Sequence, residues 1–443
     1  MIKTKNKAWV VAVTMGYGHQ RAAFPLKDIA YEGIITANDY SGIPDKDARI
    51  WRRSRKFYEF VSRLKHVPFL GNEVFKFYDK YFQNIDPFYP RRDLSAATFQ
   101  IKQMYRYMEK GWGRHLIEYL NHENIPLITT FFVPAFFAEF HNFKNDIYVV
   151  ITDTDVSRTW APLEPKKSRL KYFAPTKRAV DRLIEYGIRK ENIFLTGFPL
   201  PKENIDGHNL EILKKHMGER ICNLDPKNIY RGKYEKTIEE NLPAGCVPDK
   251  VERPLTITFA VGGAGAQREI GDQIIGSLKK KINEGQVKIN LVAGVRNEIY
   301  KYFERVAAKH GFGKDKSKVD IIYSLSFHEY MDRFNQALLT TDILWTKPSE
   351  LSFYCALGIP IIIAPPIGSQ ELFNQMWLES IGAGMDQLDP RYADQWLFDW
   401  LDSGWLAEAA MEGYLDAHKL GTKNIESIIA GKIKKAESLP QIL

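Results

Sequence analysis

At 443 residues, 44% of them hydrophobic, the chain is long enough for two domains and apolar enough to fill a sizeable interior. Its three cysteines, Cys222, Cys246 and Cys355, form no short metal-type pair, which argues against a disulfide scaffold or structural zinc and for a reducing compartment. The formal charge of +8 is concentrated between Trp51 and Arg92, where ten basic residues face four acidic ones.

The N-terminus enters an apolar segment with no small-residue cleavage site, so no signal peptide is expected, and no run reaches the roughly 18 apolar residues of a membrane span. A cytoplasmic protein, peripheral at most to the inner face of the cytoplasmic membrane, is the expectation. Ala8-Trp9-Val10-Val11-Ala12-Val13 reads as a buried strand leading through Thr14-Met15-Gly16-Tyr17-Gly18-His19 into a helix start. A histidine at the carboxyl end of a first strand stands where open α/β sheets place ligands, and imidazole suits proton transfer near neutrality. A loop or helix-capping histidine fits the same position.

The stretch 51–92 interleaves its basic residues with aromatics. Phe57, Phe60, Val61 and Leu64 share one helical face with Arg52, Arg53, Arg55 and Lys56 clustered at its start, and Val74, Tyr78, Tyr81 and Ile85 form a second stripe. Helices packed on a sheet explain this pattern, and so does a surface resting on an anionic membrane. A single-strand platform would need the same residue types, but no nucleic-acid partner is expected.

Apolar runs at 125–133 and 147–151 follow, the second ending in Thr152-Asp153-Thr154-Asp155. Two carboxylates there would suit Mg²⁺ beside a diphosphate, yet strand-end carboxylates also cap segments and orient catalytic partners, and no metal ligand is assigned. Strands at 172–176 and 193–200 flank a helix carrying Val180, Leu183, Ile184 and Tyr186, closed by Gly187. The Gly/Pro break near residue 200 marks a boundary, and 202–253, with Pro226, Pro243 and Pro248, reads as linker plus insertion.

Leu255, Ile257, Phe259 and Val261 alternate as in a strand, and Ile270, Ile274, Leu278 and Ile282 recur at helical spacing. Between them, Gly262-Gly263-Ala264-Gly265-Ala266-Gln267 is suited to cradle a phosphate, because helix-end N–H groups are unpaired and glycines allow close approach. A plain strand–helix turn is the alternative. The P-loop lysine and the full dinucleotide fingerprint are missing, which disfavours ATP hydrolysis and hydride transfer. Strands at 288–293, 319–323, 342–345 and 359–364 then alternate with helices at 299–310 and 327–339 and one ending at Gly358, implying a parallel sheet. Leu397, Trp400, Leu401 and Trp405 anchor an amphipathic C-terminal stretch, of which about 405–443 is expected to pack back on the first domain.

Gly16-Tyr17-Gly18-His19, Thr152-Asp153 before Trp160, Thr196-Gly197-Phe198-Pro199, Gly262-Gly263-Ala264-Gly265-Ala266, Thr346-Lys347-Pro348-Ser349 and Gly368-Ser369-Gln370-Glu371 with Asn374 occur in a familiar order. In this the chain resembles the glycosyltransferases that include monogalactosyldiacylglycerol synthase, the processive diacylglycerol glucosyltransferases, and the enzyme that adds N-acetylglucosamine to the lipid-linked peptidoglycan precursor. The resemblance spans nearly the whole chain. It implies an α/β fold of two Rossmann-like domains facing each other across a cleft (GT-B type): 1–200 on the acceptor side, 201–253 as linker or insertion, and 254–404 for the nucleotide-sugar.

The resemblance further implies an inverting hexosyltransferase-type reaction from a UDP-sugar donor to a lipid or lipid-linked acceptor, with no cofactor and no divalent metal. His19 or Asp153 would deprotonate the acceptor, beside the loop glycines Gly16 and Gly18. Gly262, Gly263, Gly265 and Gln267, with Lys347, Ser349 and Glu350, would hold the nucleotide diphosphate, and Gln370, Glu371 and Asn374 the donor sugar. Ser349-Glu350 replaces the family's Gly-Gly, and the later ribose-binding Glu has no counterpart in Phe353-Tyr354-Cys355. Arg158 stands where relatives often carry a histidine before the tryptophan. A nucleotide-sugar epimerase or hydrolase of the same fold, or a non-catalytic sugar-nucleotide-binding protein, are the alternatives.

Overall fold

The computed structural model describes residues 6–64, 85–207, 209–261, 265–313, 315–366 and 368–433, with backbone alone over 55–64 and at 369. The chain forms two α/β units. Unit 1 comprises residues 1–199, 367–374 and 420–442; unit 2 comprises 200–366 and 375–419.

Unit 1 is built on six parallel strands: β1 (Ala8–Ala12), β2 (Ala30–Thr36), β3 (Leu127–Thr129), β4 (Ile147–Val150), β5 (Lys171–Ala174) and β6 (Ile193–Leu195), in the order β2-β1-β3-β4-β5-β6. The interior strands β1, β3 and β4 are buried along their whole length, which is why they read as continuous apolar runs. Edge strand β2, Ala-Tyr-Glu-Gly-Ile-Ile-Thr, buries only its first residue fully, so it carries no such signal. Chain order reverses between β1 and β3, and open sheets of this kind bind ligands at the carboxyl ends beside that switch.

Unit 2 repeats the scheme with β7 (Leu255–Ala260), β8 (Val287–Gly294), β9 (Val319–Tyr323), β10 (Ile343–Thr346), β11 (Ile361–Ile363) and β12 (Gly384–Asp386). All are parallel, in the order β12-β11-β10-β7-β8-β9. This is the dinucleotide-fold order, with its switch between β7 and β10. The helix Glu269–Asn283 buries Ile270, Ile274, Leu278 and Ile282, the four residues whose spacing marks it in the sequence.

The described residues of 201–253, the expected linker or insertion, belong to unit 2. Their helix Glu211–Leu224 carries Arg220, fully buried, which donates to the carbonyls of Thr341 (2.7 Å), Leu357 (2.7 Å) and Leu338 (3.3 Å). Leu338 and Leu357 each end a helix, so the cation sits at two negative helix ends. Burial still lowers its pKa to about 10.

At the C-terminus, Leu397, Trp400 and Leu401 are buried in the helix Ala393–Asp402, but Trp405 is 55% exposed. That corrects the expectation of a fourth anchor. Ser403 and Gly404, the latter at φ +77, end one helix and start another, Trp405–Asp416, so the helical phase is reset between Leu401 and Trp405. The helix Trp405–Asp416 lies in unit 2, and only the following helix, Gly421–Ile429, belongs to unit 1. There Asn424 donates to the Thr196 carbonyl (2.9 Å), and a Cβ on Gly421 would overlap the Phe198 carbonyl, so this helix packs on the Thr196–Pro199 turn.

Candidate functional site

The switch of unit 2 brings together the loops after β7, β10 and β11. Gly262 and Gly263 lie outside the described residues; Gly265 and Gln267 are half-buried, and both adopt left-handed backbone, at φ +72 and +63. Glycine takes that conformation freely; glutamine does so under strain, of the kind that collects at binding loops. The Gln267 amide donates to the Pro365 carbonyl (2.9 Å), tying this loop to the one after β11. Across the switch, the Thr346 hydroxyl donates to the Ala260 carbonyl (3.0 Å), pinning the end of β10 to the end of β7.

The helix Glu269–Asn283 starts at Arg268 with no side-chain cap, and the N–H groups of Ile270 and Gly271 turn back on the Gln267 and Arg268 carbonyls (3.1 Å each). Two acids, Glu269 and Asp272, occupy its first turn, but Asp272 is already taken by Lys309 (2.8 Å) and His310 (2.7 Å). After β10, Lys347 and Ser349 are half-buried, and Glu350, 9% exposed, opens the 3₁₀ helix Glu350–Leu357.

In unit 1 the corresponding edge carries Gly16, Gly18 and His19 after β1, Thr130 after β3 and Asp153 after β4. Gly16 is exposed at φ +99 and Gly18 begins the short helix Gly18–Ala23. His19 Nδ1 lies 2.7 Å from the Thr130 carbonyl. A carbonyl can only accept, so Nδ1 carries the proton and Nε2 is the basic nitrogen of the neutral ring. The Thr130 hydroxyl returns a bond to the His19 carbonyl (2.8 Å). Phe131 and Trp160 flank the imidazole, with ring centroids at 4.7 and 6.4 Å. Sequence reasoning missed Thr130, whose only signal was its place at the end of a strand.

Asp153 is half-buried and accepts from the Asn374 amide nitrogen (3.1 Å). Asn374 is fully buried, and its amide oxygen takes both the N–H and the hydroxyl of Thr154 (2.9 Å each). These bonds and its burial give Asn374 a structural role in unit 1. It joins Thr154 and Asp153 to the first half of the helix Ser369–Ser380, the part up to Asn374 that belongs to unit 1. Gln370 and Glu371, half-buried in the first turn of that helix, lie within the stretch 254–404 that was expected to hold the nucleotide-sugar, yet they too fall in unit 1.

The carboxylate of Asp155 is not available for a metal. It is 1% exposed and is held by Arg182 through two bonds (2.8 and 2.9 Å) and by Arg178 (3.0 Å). Burial disfavours the Arg182 charge, yet its bonds to Asp155 outweigh this and its pKa is raised. Phe88 lies against both guanidiniums, at 3.9 and 4.0 Å. Arg158 is likewise buried and donates to the carbonyls of Ser95, Ala161 and Pro162, which makes it a loop tie.

Of the basic aromatic stretch, Trp51 is buried against Trp112 (5.2 Å) and Phe137 (6.1 Å), with Arg52 and Arg53 exposed. Residues 65–84 and the side chains of 55–64 lie outside the described residues. Among the described residues no helix is long and apolar enough to cross a membrane.

A family model described as a domain of unknown function (DUF6938) matches residues 227–390. The processive diacylglycerol beta-glucosyltransferase of Bacillus subtilis (strain 168) is 19% identical over 398 residues, covering 87% of this chain and 84% of that one. Over most of its length the chain is thus similar to processive diacylglycerol glucosyltransferases, and its two units share the Rossmann-like α/β fold. The enzyme of the same name from Staphylococcus epidermidis (strain ATCC 12228 / FDA PCI 1200) is 26% identical over 313 residues, 69% of this chain and 65% of its own. A crystal structure of Acinetobacter baumannii MurG is 14% identical over 76% of this chain and 79% of that chain, with a TM-score of 0.42.

The Ser349-Glu350 departure from the resembled pattern has a structural counterpart. The segment after β10 is a 3₁₀ helix buried from Glu350 to Leu357, so Phe353, Tyr354 and Cys355 fill the interior where a ribose-binding acid would need to face outward. Glu350 is the first acid after β10.

Proposed function

We propose that this protein is a GT-B glycosyltransferase that transfers a hexose from a UDP-sugar to a lipid or lipid-linked acceptor with inversion. His19 acts as the general base and the Gly262–Gln267 loop of unit 2 holds the diphosphate. The observation that carries the proposal is the 2.7 Å bond from His19 Nδ1–H to the Thr130 carbonyl, since it makes Nε2 the nitrogen that accepts a hydroxyl proton. In-line attack of that hydroxyl on the anomeric carbon breaks the bond to the diphosphate. Main-chain amides of the glycine loop before the helix Glu269–Asn283, with Lys347, stabilise the departing charge, so the scheme calls on no divalent metal. The names of the relatives support a diacylglycerol-type acceptor. Arg52 and Arg53 on the exposed start of the basic stretch support contact with an anionic membrane face.

Transfer from a panel of UDP-sugars to membrane lipid extracts tests this. His19→Ala is expected to lower turnover by about 10²- to 10⁴-fold while leaving UDP affinity intact, and full activity in that variant would sink the assignment. Donor consumed without acceptor would instead indicate an epimerase or hydrolase, and UDP binding without turnover a binding protein. Charge reversal at Arg52 and Arg53 is expected to weaken binding to anionic vesicles at low salt.

A further inference from the structure

We infer that Thr130 is a positioning residue for His19, holding the imidazole as the Nδ1–H tautomer and aiming Nε2 at the acceptor. This rests on the reading of His19 as the base. The contact is reciprocal: the Thr130 carbonyl accepts from His19 Nδ1 at 2.7 Å, and the Thr130 hydroxyl donates to the His19 carbonyl at 2.8 Å. One residue thus fixes both the ring and the backbone of the histidine.

Thr130 is itself immobilised. It is fully buried, its N–H donates to the Val11 carbonyl of β1 (3.1 Å), and its neighbour Thr129 brackets the turn by bonding the Phe131 carbonyl (3.0 Å) and accepting the Phe131 N–H (3.3 Å). The clamp therefore ties the β1 loop to the β3 loop at the sheet's switch, and Phe131 at 4.7 Å restricts rotation of the ring. Neutral histidine in water favours the proton on Nε2, which would put the wrong nitrogen toward a hydroxyl. Holding the opposite tautomer is a task that the loop must perform continuously.

Nitrogen-15 NMR of histidine-labelled protein, with His19→Gln for assignment, reads the tautomer without any need for activity. The expected result is Nδ1–H in the native protein, a mixture in Thr130→Val, and recovery in Thr130→Ser. Under the proposed reaction, kcat should fall by about 10- to 100-fold in Thr130→Val, with donor KM unchanged and Thr130→Ser restoring it. A native His19 protonated on Nε2 overturns the inference even if no variant folds, and so does a Thr130→Val protein with unaltered tautomer and kcat. If no donor and acceptor pair reacts, the functional reading fails while the NMR result still decides the clamp.

Discussion

Gly265→Ala tests whether the loop after β7 is shaped by its backbone. Gly265 sits at φ +72, where a side chain costs roughly 1–2 kcal/mol. Its Cβ would overlap Ile299 Cδ1 and lie 3.1 Å from Ile299 Cγ1. Ile299 is 2% exposed in the first turn of the helix Asn297–His310, so pushing it off its rotamer adds about 0.5–1.5 kcal/mol. The total is about 1.5–3.5 kcal/mol, and it must appear somewhere. If the backbone holds, stability falls, and at about 2–4 °C per kcal/mol for a unit of this size the melting point drops by roughly 3–14 °C. If the loop moves instead, stability is spared and UDP affinity falls by up to about 300-fold, at about 1.4 kcal/mol per decade. Thermal unfolding and calorimetric titration with UDP separate the two outcomes. Adding Ile299→Val removes the overlapping methyl and should recover about 0.5–1.5 kcal/mol as a coupling energy in a double-mutant cycle. A Gly265→Ala protein unchanged in both melting point and UDP affinity would refute the reasoning.

Asp155→Asn leaves the fully buried Arg182 without its counter-charge and is expected to destabilise unit 1 by about 3–5 kcal/mol in urea unfolding; a loss below about 1 kcal/mol would show that the pair matters little. Lys419 is 2% exposed, donates to the carbonyls of Tyr414 and Ala417, and is pushed down to about 8 by burial. The unfolded chain keeps that proton up to about 10.4, so the unfolded state binds more protons between the two values and stability rises with pH there. The stability of the native protein relative to Lys419→Met should therefore climb by up to about 3 kcal/mol from pH 8 to 10.4, and a flat difference curve would contradict the burial argument.

The sequence makes local features legible and leaves distant pairings hidden. The alternation over Leu255–Val261 and the four-residue spacing of Ile270 to Ile282 announce β7 and its helix, although only the helix is buried on one face and β7 is buried along its whole length. Asp155 and Arg182 are 27 residues apart, and Asn374 and Thr154 are 220 apart. No local pattern distinguishes such a carboxylate from a metal ligand, or such an amide from a sugar contact, since the same polar atoms serve both uses. Trp405 misled for a related reason: helical spacing continues on paper through Gly404, but the backbone does not. Strand β2 was missed because an edge strand with Glu32 and Gly33 exposed need not be apolar.

The division of the chain into units carries a consequence for how the protein is made. Polypeptide passes from one unit to the other after residues 199, 366, 374 and 419, so no single cut yields two whole halves. A ribosome that has released residues 1–199 has delivered all six strands of the first sheet, yet not the segment that seats Gly421 beneath the Phe198 carbonyl. The sheet of unit 1 is thus covered by a helix made only after every strand of unit 2's sheet, and expression of either unit alone calls for rejoined segments rather than truncation.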